Sequence, residues 1–74
     1  MSIVVDRVRV RVLPDGRMTR KDTAAYLGFG VQTLANWSVQ GKGPRPILID
    51  GRAFYFLDDC DRYIAEQRAA GELA

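Results

Sequence analysis

Between Ile3 and Leu13 apolar and charged residues alternate, with Val8, Val10 and Val12 on one side and Arg7, Arg9 and Arg11 on the other. Successive side chains of an extended chain point to opposite faces, so this stretch predicts one half-buried strand. Pro14-Asp15-Gly16 then predicts a turn, because proline fixes one dihedral and glycine frees another. Beyond the turn the period becomes helical. Thr19 stands as an N-cap, with Asp22 in the acidic position of a capping box, and a helix is expected from about Arg20 to Leu27. It should turn Ala24 and Leu27 inward, hold Tyr26 at its flank and stop at Gly28. After the short Gly28-Phe29-Gly30 turn, a second helix is expected from near Val31 to Gln40 or Gly41.

The run Gly41-Lys42-Gly43-Pro44-Arg45-Pro46 cannot continue a helix and reads as a loop. Two apolar runs follow, Ile47-Leu48-Ile49 and Ala53-Phe54-Tyr55-Phe56, separated by Asp50-Gly51 and Arg52. Asp-Gly favours the turn whose twist matches antiparallel strands, so this is a hairpin. Asp58 is expected to cap a third helix over roughly Asp59 to Ala69, with Cys60, Tyr63 and Ile64 on its inner face. The chain then divides into an N-terminal strand and turn (1–17), a body (18–70) and a frayed tail (71–74).

Two short helices joined by a glycine turn, then a hairpin wing and a further helix, is the order of a small α+β winged helix-turn-helix. In such units the second helix enters the major groove of DNA and the first braces it. At about 100° per residue, Gln32, Thr33, Asn36 and Gln40 share one arc of the second helix, opposite Val31, Leu34, Ala35, Trp37 and Ser38. Asn and Gln donate and accept in a fork that matches the edge of adenine, and threonine reaches a phosphate or a thymine methyl. The same arc also fits a solvated surface helix. Around it, Lys42 and Arg45 in the loop and Arg52 at the wing offer cations for phosphate or the minor groove, or simply keep a hairpin soluble. Arg20 and Lys21 open the first helix, where phosphate oxygens meet positive helix ends, or where a first turn is merely solvated.

Composition narrows the function classes. The 74 residues are 47% apolar and 27% charged, enough for one ordered domain with a thin core. One cysteine and no histidine exclude a disulfide framework and a zinc site of the usual kind, and no cofactor is expected. No apolar run reaches membrane-spanning length, and the start is unlike a signal peptide, so the expected location is the cytoplasm and no membrane partner is expected. The overall charge of +2 says little, but its distribution is uneven. Residues 1–21 hold six Arg and Lys against two Asp, whereas residues 53–74 hold two Arg against five Asp and Glu. Such polarity suits an anionic partner at the front and head-to-tail stacking of copies. For the arginine–valine strand three outcomes stay open: packing into the core, pairing with the wing as a third strand, or presenting a free valine face to another copy.

Residues 18–67 resemble the excisionase-like proteins with a MerR-type winged helix-turn-helix. The resemblance rests on Met-Thr-Arg-Lys-Asp at 18–22, Ala24, Tyr26-Leu27-Gly28, Thr33-Leu34, Trp37, Gly41-Lys42-Gly43-Pro44, Gly51-Arg52, Phe54-Tyr55, Asp59-Cys60 and Tyr63-Ile64. It implies a recombination directionality factor that binds repeated sites beside an attachment sequence, bends double-stranded DNA and favours excision of a mobile element by a tyrosine integrase. It further implies self-association on DNA and, for some members, transcription regulation. Two positions depart from that pattern. The second helix carries no Arg or Lys, which shifts affinity onto the wing, the loop and the N-terminal arginines, or onto several copies binding together, and Cys60 stands where the family has leucine.

Three other functions compete with this one. An AlpA- or MerR-like transcriptional regulator would use the same contacts. A protein-interaction module would turn the polar helix face to a protein, with salt-sensitive DNA binding as the discriminating observation. An enzyme is not expected: there is no histidine, the thiol is placed inward, and Asp58, Asp59 and Asp61 fall at a helix start, where they favour the dipole.

Overall fold

The computed structural model describes residues 2–5 and 8–73, with side chains from Arg9 to Glu72. The chain begins with β1 (Ser2–Val5) and β2 (Val8–Arg11), an antiparallel pair in which Val5 faces Val8 and Ser2 faces Arg11. The single strand expected over Ile3–Leu13 is therefore two. Asp6 and Arg7, read as part of that strand, lie outside the described residues. Aspartate is depleted in strands, so an alternation interrupted by Asp6 supports two short strands better than one long one.

The predicted turn closes at Pro14-Asp15-Gly16, with the Gly16 amide donating to the Leu13 carbonyl and the Leu13 amide to that of Arg17, both at 2.8 Å. It delivers β3 (Arg17–Thr19) to the wing. The sheet order is β3-β5-β4, where β4 is Ile47–Ile49 and β5 is Arg52–Phe56. Met18 pairs with Tyr55, and Leu48 with Ala53. The third strand of the wing is thus Arg17–Thr19, not the arginine–valine segment, because the turn places residues 17–19 beside β5 first. At the tip, Asp50 and Gly51 take φ of 50° and 76°, the left-handed pair that an Asp-Gly hairpin requires.

Helices α1 (Arg20–Leu27) and α2 (Val31–Gln40) occupy their expected spans. The Thr19 side chain accepts from the Asp22 amide at 3.2 Å and donates to the Asp22 carboxylate at 3.1 Å, a reciprocal cap. Gly28, at φ 81°, ends α1 with its amide on the Ala24 carbonyl. Helix α3 runs from Leu57 to Leu73, directly out of β5. It starts before Asp58, which sits in its first turn with Asp59 and does not cap it. The Leu57 amide is taken instead by the Gly16 carbonyl at 2.8 Å. The helix also passes through Gly71, where a tail had been expected.

One core joins these pieces. Val10, Val12, Met18, Tyr55 and Cys60 are buried together, with Ala25, Tyr26, Leu27, Ala53 and Leu57 packed against them. Of the three outcomes for the N-terminal segment, core packing is the observed one: Val10 and Val12 are inside while Arg9 and Arg11 are exposed. Thr23 is fully buried and remains satisfied, its hydroxyl donating to the Thr19 carbonyl at 2.8 Å. The inner face of α3 is shorter than expected. Cys60 is buried and Tyr63 half-buried, but Ile64 is 43% exposed, and every residue from Ile64 to Glu72 is exposed. A helix of this length spans about 25 Å, more than the thin core can cover. Among the described residues no helix is long and apolar enough to cross a membrane.

Candidate nucleic-acid interface

Helix α2 is anchored on one side and free on the other. Leu34 is buried to 1% exposure. Trp37 is half-buried, edge-on to Phe29 at 4.8 Å between ring centroids and tilted against Tyr63 of α3 at 5.9 Å. The loop after the helix closes over the same indole. The amides of Gly41 and Lys42 both donate to the Trp37 carbonyl, and the Lys42 ammonium lies 5.8 Å from the ring centroid. Gly43 passes so close that a Cβ there would stand 2.5 Å from the Trp37 ring. Glycine is required at this point both for its φ of 73° and for the close approach.

On the free side Gln32, Asn36 and Gln40 are exposed, as the helical period predicts. The Gln32 side-chain amide donates to the Asn36 carbonyl oxygen at 3.1 Å, which holds the two amides as one unit. Thr33 is half-buried at the margin of this face, so it contributes less of itself than expected. Val31, assigned to the apolar arc, is 47% exposed, because it opens the helix beside Gly30 and no element covers it. Val39, which belongs to neither arc as predicted, is 89% exposed at the edge of the amide face, beside Gln32. The helical wheel alone would have found it there.

The cations do not gather in one place. Lys42 is exposed over Trp37. Arg45 is exposed and lines a hollow of about 240 Å³ with Gly43, Pro44, Asp59, Arg62, Tyr63 and Glu66, at the side of α3. Arg52 is exposed on the wing and shares a second hollow, of about 220 Å³, with Arg11, Leu13, Thr19, Asp22 and Phe54. That pairing of Arg52 with Arg11 has no sequence signal, since it depends on β2 lying near the wing. Lys21 is exposed, but Arg20 is half-buried, with its Nε donating to the Tyr55 hydroxyl at 3.3 Å. Arg20 thus ties α1 to the wing as well as carrying charge. Arg17 is occupied: it pairs with Asp15 and lies 5.0 Å above the Phe54 ring.

Two titrations are displaced from their ordinary ranges. The Cys60 thiol is pushed up to about 12, first by burial and then by the charges of Asp61 and Asp59. The Tyr26 hydroxyl is raised to about 12, first by its hydrogen bond to Asp61, then by burial and by the charges of Asp61 and Cys60. A thiol so held is a poor nucleophile at neutral pH, because the thiolate is the reactive form.

A helix pair turned on Gly28-Phe29-Gly30, a three-stranded wing and a closing helix make this a small winged helix-turn-helix of the α+β class. No family model matches the sequence, and no significant similarity to a curated protein or to a solved structure is found.

Proposed function

We propose that this protein binds double-stranded DNA, reading base edges in the major groove with α2 and holding the phosphate backbone with the loop and the wing. The observation that carries the reading is the row of exposed amides Gln32, Asn36 and Gln40 on a helix whose opposite side is pinned by Leu34 and Trp37. Recognition needs such a helix, since an amide fork reads adenine only when it is held at a fixed angle in the groove. Thr33 at the margin serves a phosphate or a thymine methyl. Lys42, Arg45, Arg52 and Lys21 supply phosphate contacts, with Arg20 contributing from its place beside Tyr55.

The biological role proposed is that of an excisionase, a recombination directionality factor. Several copies would bind repeated sites beside an attachment sequence, bend the DNA and promote excision by a tyrosine integrase. The resemblance over residues 18–67 supports this role. So does the lack of Arg or Lys on α2, which leaves one copy a weak electrostatic grip and makes assembly of several copies on DNA the route to tight binding. The protein acts by binding and not by catalysis, consistent with a buried thiol that resists ionisation. It works in the cytoplasm, a reducing compartment that suits an unpaired Cys60.

A gel-shift titration against the DNA upstream of its gene and the neighbouring attachment region, at two salt concentrations, tests the proposal. Stepwise, salt-sensitive complexes on a repeated site are expected. Binding no tighter than to random duplex would refute sequence recognition and favour a protein partner for the amide face. A circular-permutation assay on the same site then separates the excisionase role, which requires a bend, from a transcriptional regulator that binds without one.

A further inference from the structure

The core does not account for Val39. It is 89% exposed, far more than Val31 at 47% on the same helix, and its side chain enters no core cluster. A β-branched residue at an exposed position of a helix also loses rotamer freedom, so helix formation gives no reason for it. Its position does. At about 100° per residue, Val39 lies about 20° from Gln32 and about 60° from Asn36 around the axis. It therefore stands at the edge of the amide face, beside Gln32 and one turn on from Asn36, next to the groups proposed to meet base edges. An amide pair carries hydrogen bonds to adenine, but the apolar feature of the major groove is the C5 methyl of a pyrimidine, which an exposed aliphatic group such as that of Val39 matches.

We infer that Val39 is a specificity residue that packs on the C5 methyl of thymine, next to the adenine engaged by the Gln32–Asn36 pair. The inference rests on the DNA-binding reading and adds its preferred base step. Gln32 supports it by its bond to the Asn36 carbonyl oxygen at 3.1 Å, which fixes the Asn36 head while leaving its amino group free to donate and one carbonyl lone pair free to accept. With Asn36 so oriented, the neighbouring turn of α2 has one apolar group to offer, and that group is Val39. The preferred site then contains adenine and thymine in adjacent pairs.

The test begins with selection of preferred duplexes from a random pool by the intact protein. Each thymine of the selected site is then replaced in turn by deoxyuridine, which removes the methyl and leaves every hydrogen-bonding group in place. At one thymine the wild-type protein should lose about fourfold in affinity, the worth of one buried methyl group. Val39→Ala should bind the thymine and deoxyuridine duplexes equally, and because residue 39 is exposed and alanine favours helix, that variant folds. Wild-type affinity insensitive to deoxyuridine at every position, in a protein that still selects a sequence, would overturn the inference and leave the DNA-binding reading intact. Failure to select any duplex would overturn both. The same methyl is carried by 5-methylcytosine. A parallel set with each cytosine methylated would overturn the thymine assignment if sensitivity appeared there alone.

Discussion

Replacing Gly43 by alanine isolates the packing of the loop against Trp37. Gly43 and Gly28 both sit in left-handed backbone, at φ of 73° and 81°. Alanine in that region costs about 1–2 kcal/mol at either position. The unfolded chain is stiffened equally by both changes, so that contribution cancels in the comparison. The surroundings differ. A Cβ at Gly28 meets nothing within 4 Å, whereas at Gly43 it meets the Trp37 ring at 2.5 and 3.2 Å. Trp37 cannot retreat without disturbing Phe29 and Tyr63, which flank it at 4.8 and 5.9 Å. Overpacking of this kind adds about 1–3 kcal/mol, so Gly43→Ala should be less stable than Gly28→Ala by that amount. Each kcal/mol corresponds to about 4–8 °C in Tm for a domain of this size. Urea denaturation, followed by far-ultraviolet circular dichroism and by the fluorescence of the single tryptophan, measures both variants. Gly43→Ala should also shift the native emission of Trp37, and combining it with Trp37→Leu should cost less than the sum of the two changes. Equal costs for the two alanine variants, with Trp37 emission unchanged, would show that the indole is not pinned by the loop.

Other perturbations address different parts of the molecule. Thr19→Ala removes the side chain that accepts from the Asp22 amide, and should lower stability by about 1 kcal/mol in chemical denaturation. Cys60 and Tyr26 both ionise later in the folded chain than in the unfolded one. Their contribution to stability is therefore complete below the ordinary ranges of thiol and phenol and declines as pH rises through about 9–12; urea midpoints taken from pH 7 to pH 11 should fall, and Cys60→Ala should flatten the decline. Arg52→Ala should weaken binding to all duplexes and reduce the slope of log affinity against log salt by about one, and an unchanged slope would remove the wing from the interface. Asn36→Ala should relax base preference more than it lowers affinity for random DNA. Equal losses on both would remove α2 as the reader.

What could be read from the sequence was local. Thr19 with Asp22, Gly28 and Asp50-Gly51 each act within a turn of chain, and each appears where its chemistry places it. The span of α2 and its exposed amides follow from the helical period in the same way. What could not be read depends on partners distant in sequence. Strand β3 is three residues long and exists because β5 accepts it, so Arg17–Thr19 carries little pattern of its own. Ile64 repeats at the right interval for burial, but the core ends at Tyr63 and leaves it outside. Arg20 reads as a free cation until Tyr55 is brought beside it, and Arg11 joins Arg52 only once β2 has packed. Val39 was legible as well, since at about 100° per residue it falls beside Gln32 and far from the side held by Leu34 and Trp37.

The junction between β5 and α3 has no linker: Phe56 ends the strand and Leu57 begins the helix. Rotation of the helix about its axis is therefore geared to the strand, residue for residue. One residue inserted at that seam would turn everything after it by about 100° and carry Cys60 out of the core, while Tyr55 stayed in register with Met18. The tip at Asp50-Gly51 has no such gearing, since nothing lies within 4 Å of a Cβ at Gly51. Lengthening the chain there changes only how far the wing reaches. Among variants of this fold, wing length is free to drift with the groove it meets, and the spacing from Tyr55 to Cys60 is not.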